Sequence, residues 1–384
     1  MTTIFENIEA GKPQTHVFII GVGKYPHLLN GEGPILDNPM GLKQLTSPPI
    51  SAKTFADWIL ENLKDSYVPL GSVELLLSSK DDNQILVDAA TMGNIKKAFD
   101  LWYKRCDTNE NNVAIFYFCG HGVVKNYQLL LAEDFGASPN RILENAINFR
   151  LTYQGMVQCK AGVQCYFIDS CQQFSDELSK LPIADAQALI DFNLDNMRYR
   201  RTARILYATS LGLKAFGEKN SVSRFTDALI QSLKGLGSKR IQDKEGKARW
   251  VVTTDALSNA VREIIKQQNE SLELKYHQTP VFDGEYSDDA TIHILKTTPK
   301  VSVTIGLIPD SASDLAELYI RKDSLVCKQR VPPKSGDWEA EIEAGMYMAC
   351  AQFPTRQYHN PNDEDLWATT PYEKVVVRFK VKAI

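Results

Sequence analysis

Two apolar runs that end in polar residues decide how this sequence folds: VAIFYFCGHG at 113–122 and VQCYFIDSCQQ at 163–173. Apolar runs of this length, bounded by loop residues, are typical of strands buried on both faces of a parallel sheet. Similar runs occur at 16–22, 73–77 and 205–208, and a sixth short strand is expected at 279–282 or 291–295. Segments with helical spacing alternate with these strands, at 51–63, 91–102, 223–233 and 253–268. The order predicts an α/β fold with a mainly parallel six-stranded sheet and helices on both faces.

The pattern changes after Lys296. Residues 301–384 alternate apolar and polar side chains in short segments such as VSVTIGL and KVVVRFKV, which Pro, Gly, Asp and Asn separate. A period of two with frequent turns predicts a small antiparallel β-sandwich. We therefore predict two domains, at 1–298 and 299–384.

Composition excludes several classes of partner. The 384 residues contain 43 Lys and Arg against 47 Asp and Glu, a net charge of −4, which offers no broad attraction to nucleic acid or to an anionic membrane. The start of the chain does not resemble a secretory signal, and no apolar run approaches the length of a membrane span. Seven scattered cysteines without a CxxC pair indicate reduced thiols. We expect a cytoplasmic protein.

Metal ions and cofactors are not expected. Acidic clusters that invite a calcium hypothesis occur at Asp81-Asp82, Asp288-Asp289 and Asp363-Glu364-Asp365. None has the regular spacing of a calcium-binding loop, so we interpret each as a solvated turn.

His121 and Cys171 follow two successive strands of the predicted sheet. The carboxyl ends of parallel strands meet at one edge of a sheet, where functional groups gather. A thiol with an ordinary pKa near 8.5 is only slightly ionised at neutral pH, and an adjacent imidazole can act as its base. Gly120 and Gly122 allow a sharp turn around His121. The backbone N–H groups of Gly122 and Cys171 are candidate donors to the oxyanion of an acyl-transfer intermediate.

The same residues resemble the motifs of caspases and metacaspases. FYFCGHG at 116–122 is similar to their His motif and YFIDSCQQ at 166–173 to their Cys motif, and His121 precedes Cys171 by fifty residues, the separation found in caspases. The resemblance covers about residues 14–296. It implies a cysteine endopeptidase that cleaves protein or peptide substrates without metal or cofactor, with catalytic residues His121, Cys171 and Gly122.

The resemblance also implies a substrate pocket. Asp169 matches the metacaspase Asp that selects Arg or Lys before the scissile bond, although it could instead bind loop amides. Ser51 lies where metacaspases commonly have a second Asp, and Cys119 lies where Ser usually precedes the His. We place these two residues and Ser210 in the substrate-binding region.

Three further expectations follow from the resemblance. Family members often cut themselves after the nucleophile, so we predict self-cleavage after Arg198, Arg200 or Arg201, with an uncut surface loop as the alternative. Many prokaryotic relatives serve defence or programmed cell death. We also expect a regulatory protein partner at the C-terminal domain. The alternative to a peptidase is an inactive caspase-like scaffold that acts through this domain.

Overall fold

The computed structural model divides the chain into two compact units. One unit comprises Met1–Ile230 with Ile264–His293, and the other comprises Gln231–Glu263 with Ile294–Ile384. The second unit thus includes a segment that the sequence analysis assigned to the first domain, and the domain limits remain a prediction. The described residues are 1–79, 87–174, 186–193, 197, 201–213, 215, 219–243, 245–285 and 288–384.

A seven-stranded sheet forms the centre of the first unit and confirms the predicted mainly parallel α/β fold. Its order is β1-β3-β2-β4-β8-β10-β13, and the five central strands are parallel. The edge strands β1 and β13 pair antiparallel, and β1 is the strand that the sequence analysis missed, because TIFE is too short to show a period. The strands are β1 (Thr3–Glu6), β2 (Thr15–Val22), β3 (Leu70–Ser78), β4 (Val113–Cys119), β8 (Val163–Asp169), β10 (Thr202–Tyr207) and β13 (Val281–Asp283).

Helices begin where the local sequence provides a start. The first helix begins at Ser47 rather than Ser51, because Pro48 and Pro49 fit its first turn, where backbone N–H groups have no helical partner. The second follows Thr91, whose Oγ1 accepts the Asn94 N–H at 3.4 Å. The helices are α1 (Ser47–Asn62), α2 (Met92–Cys106), α3 (Phe149–Gly155), α4 (Arg224–Gln231) and α5 (Thr254–Glu270). Short 3₁₀ or π turns lie at Ile142–Asn145, Met156–Gln158, Ser232–Leu236, Leu274–Tyr276 and Asp310–Leu315.

Aromatic side chains cover the large sheet on both faces. Phe116 packs with Phe18 at 5.5 Å between ring centroids, and Phe18 packs on Trp102 of α2 at 5.8 Å. The next residue of β4, Tyr117, points to the other face and stacks on Phe55 of α1 at 4.7 Å. Close packing of this kind holds a strand in one register, so the residues that follow each strand have fixed positions.

A small sheet of order β7-β6-β5-β9 begins directly after His121. The antiparallel pair β5 and β6 forms a hairpin, and β9 pairs with β5 in parallel. The strands are β5 (Gly122–Val124), β6 (Gln128–Leu131), β7 (Ala146–Asn148) and β9 (Gln173–Phe174).

The second unit contains the predicted sandwich. One sheet has the order β18-β15-β21 and the other β17-β16-β19-β20, and their inner faces share a core that includes Ile305, Leu318 and Leu366. All pairs are antiparallel except β15 with β21. The strands are β15 (Lys300–Ile308), β16 (Glu317–Lys322), β17 (Leu325–Arg330), β18 (Trp338–Glu343), β19 (Gly345–Gln352), β20 (Glu364–Ala368) and β21 (Val375–Lys380).

Three more strands precede the sandwich along the chain. Among them, β11 and β12 form an antiparallel hairpin. They are β11 (Ser238–Gln242), β12 (Ala248–Thr253) and β14 (Thr291–Ile294). Across the described residues, the helices are too short or too polar to span a membrane.

Candidate active site

A constant register brings His121 and Cys171 to the same level of the fold. Strands β4 and β8 pair in parallel up to Cys119 and Asp169, and pairing resumes between β5 and β9 with Val123 opposite Gln173. The two residues of each pair are fifty positions apart in the sequence, both before and after the unpaired stretch. His121 and Cys171 lie at the midpoint of this unpaired stretch. Parallel strands lie about 4.8 Å apart, so the two backbones pass each other at close range.

His121 is buried and held from two sides. Its backbone N–H donates to Tyr25 Oη at 2.8 Å, and the two rings lie 4.8 Å apart between centroids. Its Nε2 lies 2.6 Å from the carbonyl oxygen of Lys43. Because a carbonyl only accepts, Nε2 carries the hydrogen, and Nδ1 keeps a lone pair that can accept a proton.

Burial also sets the charge of His121. Loss of solvent lowers the pKa of the imidazole to about 4, although the bond to the Lys43 carbonyl acts in the opposite direction. The ring is therefore neutral at neutral pH, the state in which it can act as a base.

Cys171 is half-buried, and a loop runs along one side of it. Its Sγ accepts the Ala215 N–H at 3.4 Å. The backbone of Gln172 accepts the Gly212 N–H at 2.7 Å and donates to the Leu213 carbonyl at 3.1 Å. Residues 209–213 together with Ala215, which we call the wall loop, thus bound the nucleophile candidate. Burial raises the pKa of the Tyr25 phenol, and a negative charge on Cys171 would raise it further.

Gly122 lies against the backbone of Cys171. A Cβ at this position would come within 2.6 Å of the Cys171 carbonyl oxygen and within 2.5 Å of Ser170 Oγ. The Leu131 N–H donates to the His121 carbonyl, so by the alternation of an antiparallel pair the Gly122 N–H points away from β6, toward β9. This direction is the one that an oxyanion donor beside Cys171 requires. Gln128 Nε2 supports the turn by donating to the Cys171 carbonyl at 2.9 Å.

A buried polar cluster brings together three of the predicted pocket residues. Asp169 Oδ2 accepts from Ser223 Oγ and from Thr226 Oγ1, the latter at 2.7 Å. Ser51 Oγ accepts the Ser223 N–H at 2.9 Å, and Cys119 lies beside both Asp169 and Ser51. Burial raises the pKa of Asp169, while the bonds from Ser223 and Thr226 lower it. The cluster stands on the last residues of β4 and β8 and the first turns of α1 and α4.

The other predicted site residues lie away from this cluster or outside the described residues. Ser210 belongs to the wall loop, and its carbonyl accepts the Leu213 N–H at 3.1 Å. Arg201 precedes β10 at the opposite edge of the sheet, ~20 Å from the active-site edge for a strand of this length. Its guanidinium is buried, donating to Gln164 Oε1 at 2.8 Å and pairing with Glu285. Arg198 and Arg200 lie outside the described residues.

Sequence reasoning missed four residues of this site. Lys43 acts through its backbone carbonyl, which leaves no signal in a sequence. Tyr25 follows β2 in the run HVFIIGVGKY, where its position just past a strand end was an available signal. Ser223 precedes α4 and Thr226 lies in its first turn, and their hydroxyls resemble ordinary helix-capping groups. Within the described ranges, no group of three or more His, Cys, Asp or Glu residues is placed to hold a metal ion.

Comparison with known proteins identifies relatives of the chain. It is 24% identical over 273 residues to the uncharacterized protein y4kE of Sinorhizobium fredii, a match that covers 69% of this chain and 78% of that protein. It is 25% identical over 303 residues to a probable protease from a Desulfuromonadales bacterium, covering 72% of this chain and 35% of that longer protein.

Solved structures and family models give further matches. A crystal structure of caspase-1 from Spodoptera frugiperda matches 75% of this chain and 96% of its own, with 14% identity and a TM-score of 0.42. The family model of the peptidase C14 caspase domain matches residues 15–290. This match spans β2 through β13 and includes both His121 and Cys171, so the chain belongs to the caspase-domain family of cysteine peptidases.

Proposed function

We propose that this chain is an active cysteine endopeptidase with Cys171 as nucleophile and His121 as general base. The observation that carries the proposal is the shared register, in which both residues lie midway between the pairs Cys119–Asp169 and Val123–Gln173. The neutral, Nε2-protonated imidazole supports it, because Nδ1 is then free to take a proton. The relative described as a probable protease is consistent with it.

The chemistry follows from these positions. His121 Nδ1 takes the proton of the Cys171 thiol, and the thiolate attacks the scissile carbonyl carbon. The oxyanion accepts from the N–H groups of Gly122 and Cys171. Protonated His121 then gives its proton to the leaving amine as the C–N bond breaks, which leaves a thioester on Cys171. Water, deprotonated by His121, attacks the thioester and releases the acid and the thiol.

We further propose that the substrate residue before the scissile bond is Arg or Lys. Asp169 supports this specificity because it is the acidic member of the buried cluster at the strand ends, two residues before the nucleophile. A buried carboxylate binds a guanidinium through charge-assisted hydrogen bonds, in pairs where the geometry allows. Ser51, Cys119 and Ser210 would line or flank that pocket.

Peptide turnover tests both claims. Fluorogenic peptides ending in Arg, Lys or Asp are incubated with the wild-type chain, Cys171→Ala and His121→Gln. We expect turnover of the Arg and Lys peptides, abolished in Cys171→Ala and lowered about 10² to 10⁴-fold in His121→Gln. Cys327→Ala, which removes an exposed thiol of the sandwich, is the matched control and keeps wild-type rates. Equal rates for wild type and Cys171→Ala would leave only the scaffold alternative.

Self-processing is part of the proposal. Arg201 is an unsuitable site, because its buried side chain cannot enter a pocket while the fold is intact. We therefore assign cleavage to Arg198 or Arg200. Intact masses of wild type and Cys171→Ala, recorded after equal incubation, test this assignment. Two fragments from the wild type alone support it, whereas an uncut chain in both samples contradicts it.

A cytoplasmic role in defence or cell death completes the proposal. It is supported by the family membership and by the candidate dyad. Induced expression of the wild-type chain in a bacterial host, beside Cys171→Ala, tests the role. Growth arrest that requires Cys171 supports it, and equal growth of both strains counts against it.

A further inference from the structure

One side-chain amide fastens the loop that holds His121. Gln44 Oε1 accepts the Tyr25 N–H at 2.8 Å, and Gln44 Nε2 donates to the Tyr25 carbonyl at 2.8 Å. The same Nε2 reaches the Leu29 carbonyl at 3.2 Å. Gln44 thus pairs with both backbone polar groups of Tyr25, as a neighbouring strand would.

Both supports of His121 meet at Gln44. Tyr25 accepts the His121 N–H and packs on its ring, whereas Lys43, the residue next to Gln44, accepts from Nε2. The amide therefore joins the segment that carries one support to the segment that carries the other. If the amide is lost, Tyr25 loses its direct bonds to the segment that carries the Lys43 carbonyl, and the two supports are joined only through backbone bonds of neighbouring residues.

The surrounding chain provides few substitutes for this link. Residues 23–46 contain no helix or strand longer than an isolated bridge, which pairs Leu29 with Lys43. Two backbone bonds join the same two segments, from the Leu29 N–H to the Leu42 carbonyl at 3.2 Å and from the Leu45 N–H to the Gly23 carbonyl at 2.8 Å. Without a helix or a longer strand, the position of the Lys43 carbonyl depends on these few backbone bonds and on the Gln44 amide.

We infer that Gln44 is a positioning residue for the reaction, holding the Lys43 carbonyl and Tyr25 so that His121 keeps its hydrogen on Nε2 and its lone pair on Nδ1. The inference rests on the proposed function, since it gives that tautomer a catalytic purpose. Displacement of a supporting group by about 1 Å can lower a rate on the order of 10²-fold.

Gln44→Met tests the inference, because Met fills a similar volume without making the hydrogen bonds. Gln14→Met is the matched control. Gln14 clamps a loop in the same way, with Oε1 accepting the Glu9 N–H at 2.9 Å and Nε2 donating to the Asn7 carbonyl at 2.7 Å. It lies before β2, at the edge of the sheet opposite to the active site. Each variant loses a side-chain amide that bonds to backbone groups of a loop, but only the Gln44 amide bonds to a residue that contacts His121.

Two readouts do not require peptide turnover. The first is the tautomer of His121, from long-range nitrogen–proton NMR correlations of the ring. The second is the rate at which iodoacetamide alkylates Cys171 as a function of pH, measured in a Cys327→Ala background. Tm of each variant records the general loss of stability.

We expect Gln44→Met to mix the two tautomers of His121 and to slow alkylation and kcat about 10 to 100-fold, with KM nearly unchanged. Gln14→Met is expected to lower Tm comparably without either effect. A wild-type tautomer and alkylation profile in Gln44→Met, or the same changes in Gln14→Met, would overturn the inference. If the tautomer depends on Gln44 but the wild type cleaves no peptide, the proposed function fails and the positioning role stands.

Discussion

Cys119 lies directly opposite Asp169 at the last paired positions of β4 and β8, and each stands two residues before a proposed catalytic residue. The sheet therefore sets the relative height of His121 and Cys171. Because β5 and β9 restore the same register beyond them, neither segment can slip without breaking pairs on both sides. The candidate dyad is anchored by secondary structure rather than by a free loop.

The pH dependence of Cys171 chemistry is expected to follow the buried imidazole. The reaction requires neutral His121, and burial lowers the pKa of that ring to about 4. Acidification should thus leave kcat/KM high until the pH nears 4, whereas an exposed histidine would lower kcat/KM with a midpoint near pH 6.5. The measurement is kcat/KM for peptide cleavage as a function of pH, on protein shown to be folded at each pH. A midpoint near 6.5 would contradict the assignment.

Gly122→Ala is expected to abolish peptide turnover. The added Cβ would lie within 2.6 Å of Gln128 Nε2, Ser170 Oγ and the Cys171 carbonyl oxygen. The backbone that carries Cys171 must therefore shift. Gly93→Ala is the matched control, because a Cβ there meets nothing within 4 Å and Ala favours the first turn of α2. Peptide turnover and Tm are measured for both variants. A fully active Gly122→Ala would show that Gly122 is not required for catalysis.

Asp169→Asn is expected to separate specificity from nucleophile chemistry. The substitution keeps the shape and an acceptor for Ser223 and Thr226 but removes the charge that would bind Arg or Lys. We expect kcat/KM for the Arg peptide to fall about 10²-fold or more, the scale of a lost buried charge pair. Cys171 alkylation, which needs no pocket, stays near the wild-type rate. An unchanged Arg rate would assign Asp169 a purely structural role.

Stability is expected to fall as the pH drops from 6.5 toward 4. Burial, assisted by Arg105, lowers the pKa of His16 to about 4, so the unfolded chain binds more protons across that window and unfolding becomes easier. At 1.4 kcal/mol per pKa unit, His16 accounts for roughly 2 to 3 kcal/mol of the loss between pH 7 and 4.5.

His16→Gln tests this source of the pH dependence. Gln can still bond to Ser72 Oγ, which lies 3.0 Å from His16 Nδ1, but it does not titrate. Urea unfolding at pH 7 and at pH 4.5 is expected to show a smaller difference for this variant than for wild type. The same comparison with His277→Gln serves as control. An equal change in the free energy of unfolding between the two pH values for all three proteins would refute the assignment to His16.

Local patterns predicted most of the fold because burial leaves a clear periodic signal. VAIFYFC and VQCYFID are mostly apolar and form β4 and β8, while the alternating segments after residue 300 form the sandwich strands. The hairpin β11–β12 and the edge strand β1 were missed, since strands such as SKRIQ are exposed on most positions and show no apolar period. The sheet consequently has seven strands where six were predicted.

By itself the sequence determined the alternation of strands and helices that a parallel sheet requires, the family, and the two residues proposed for catalysis. A thiol and an imidazole after successive apolar strands are local features. Only the tertiary structure decided what holds them. The Lys43 carbonyl that fixes the tautomer of His121, the Tyr25 hydroxyl on its backbone, and the Ser223 and Thr226 hydroxyls on Asp169 come from distant parts of the chain. Backbone carbonyls and ordinary hydroxyls acquire such roles only when folding removes water and places them within hydrogen-bonding distance.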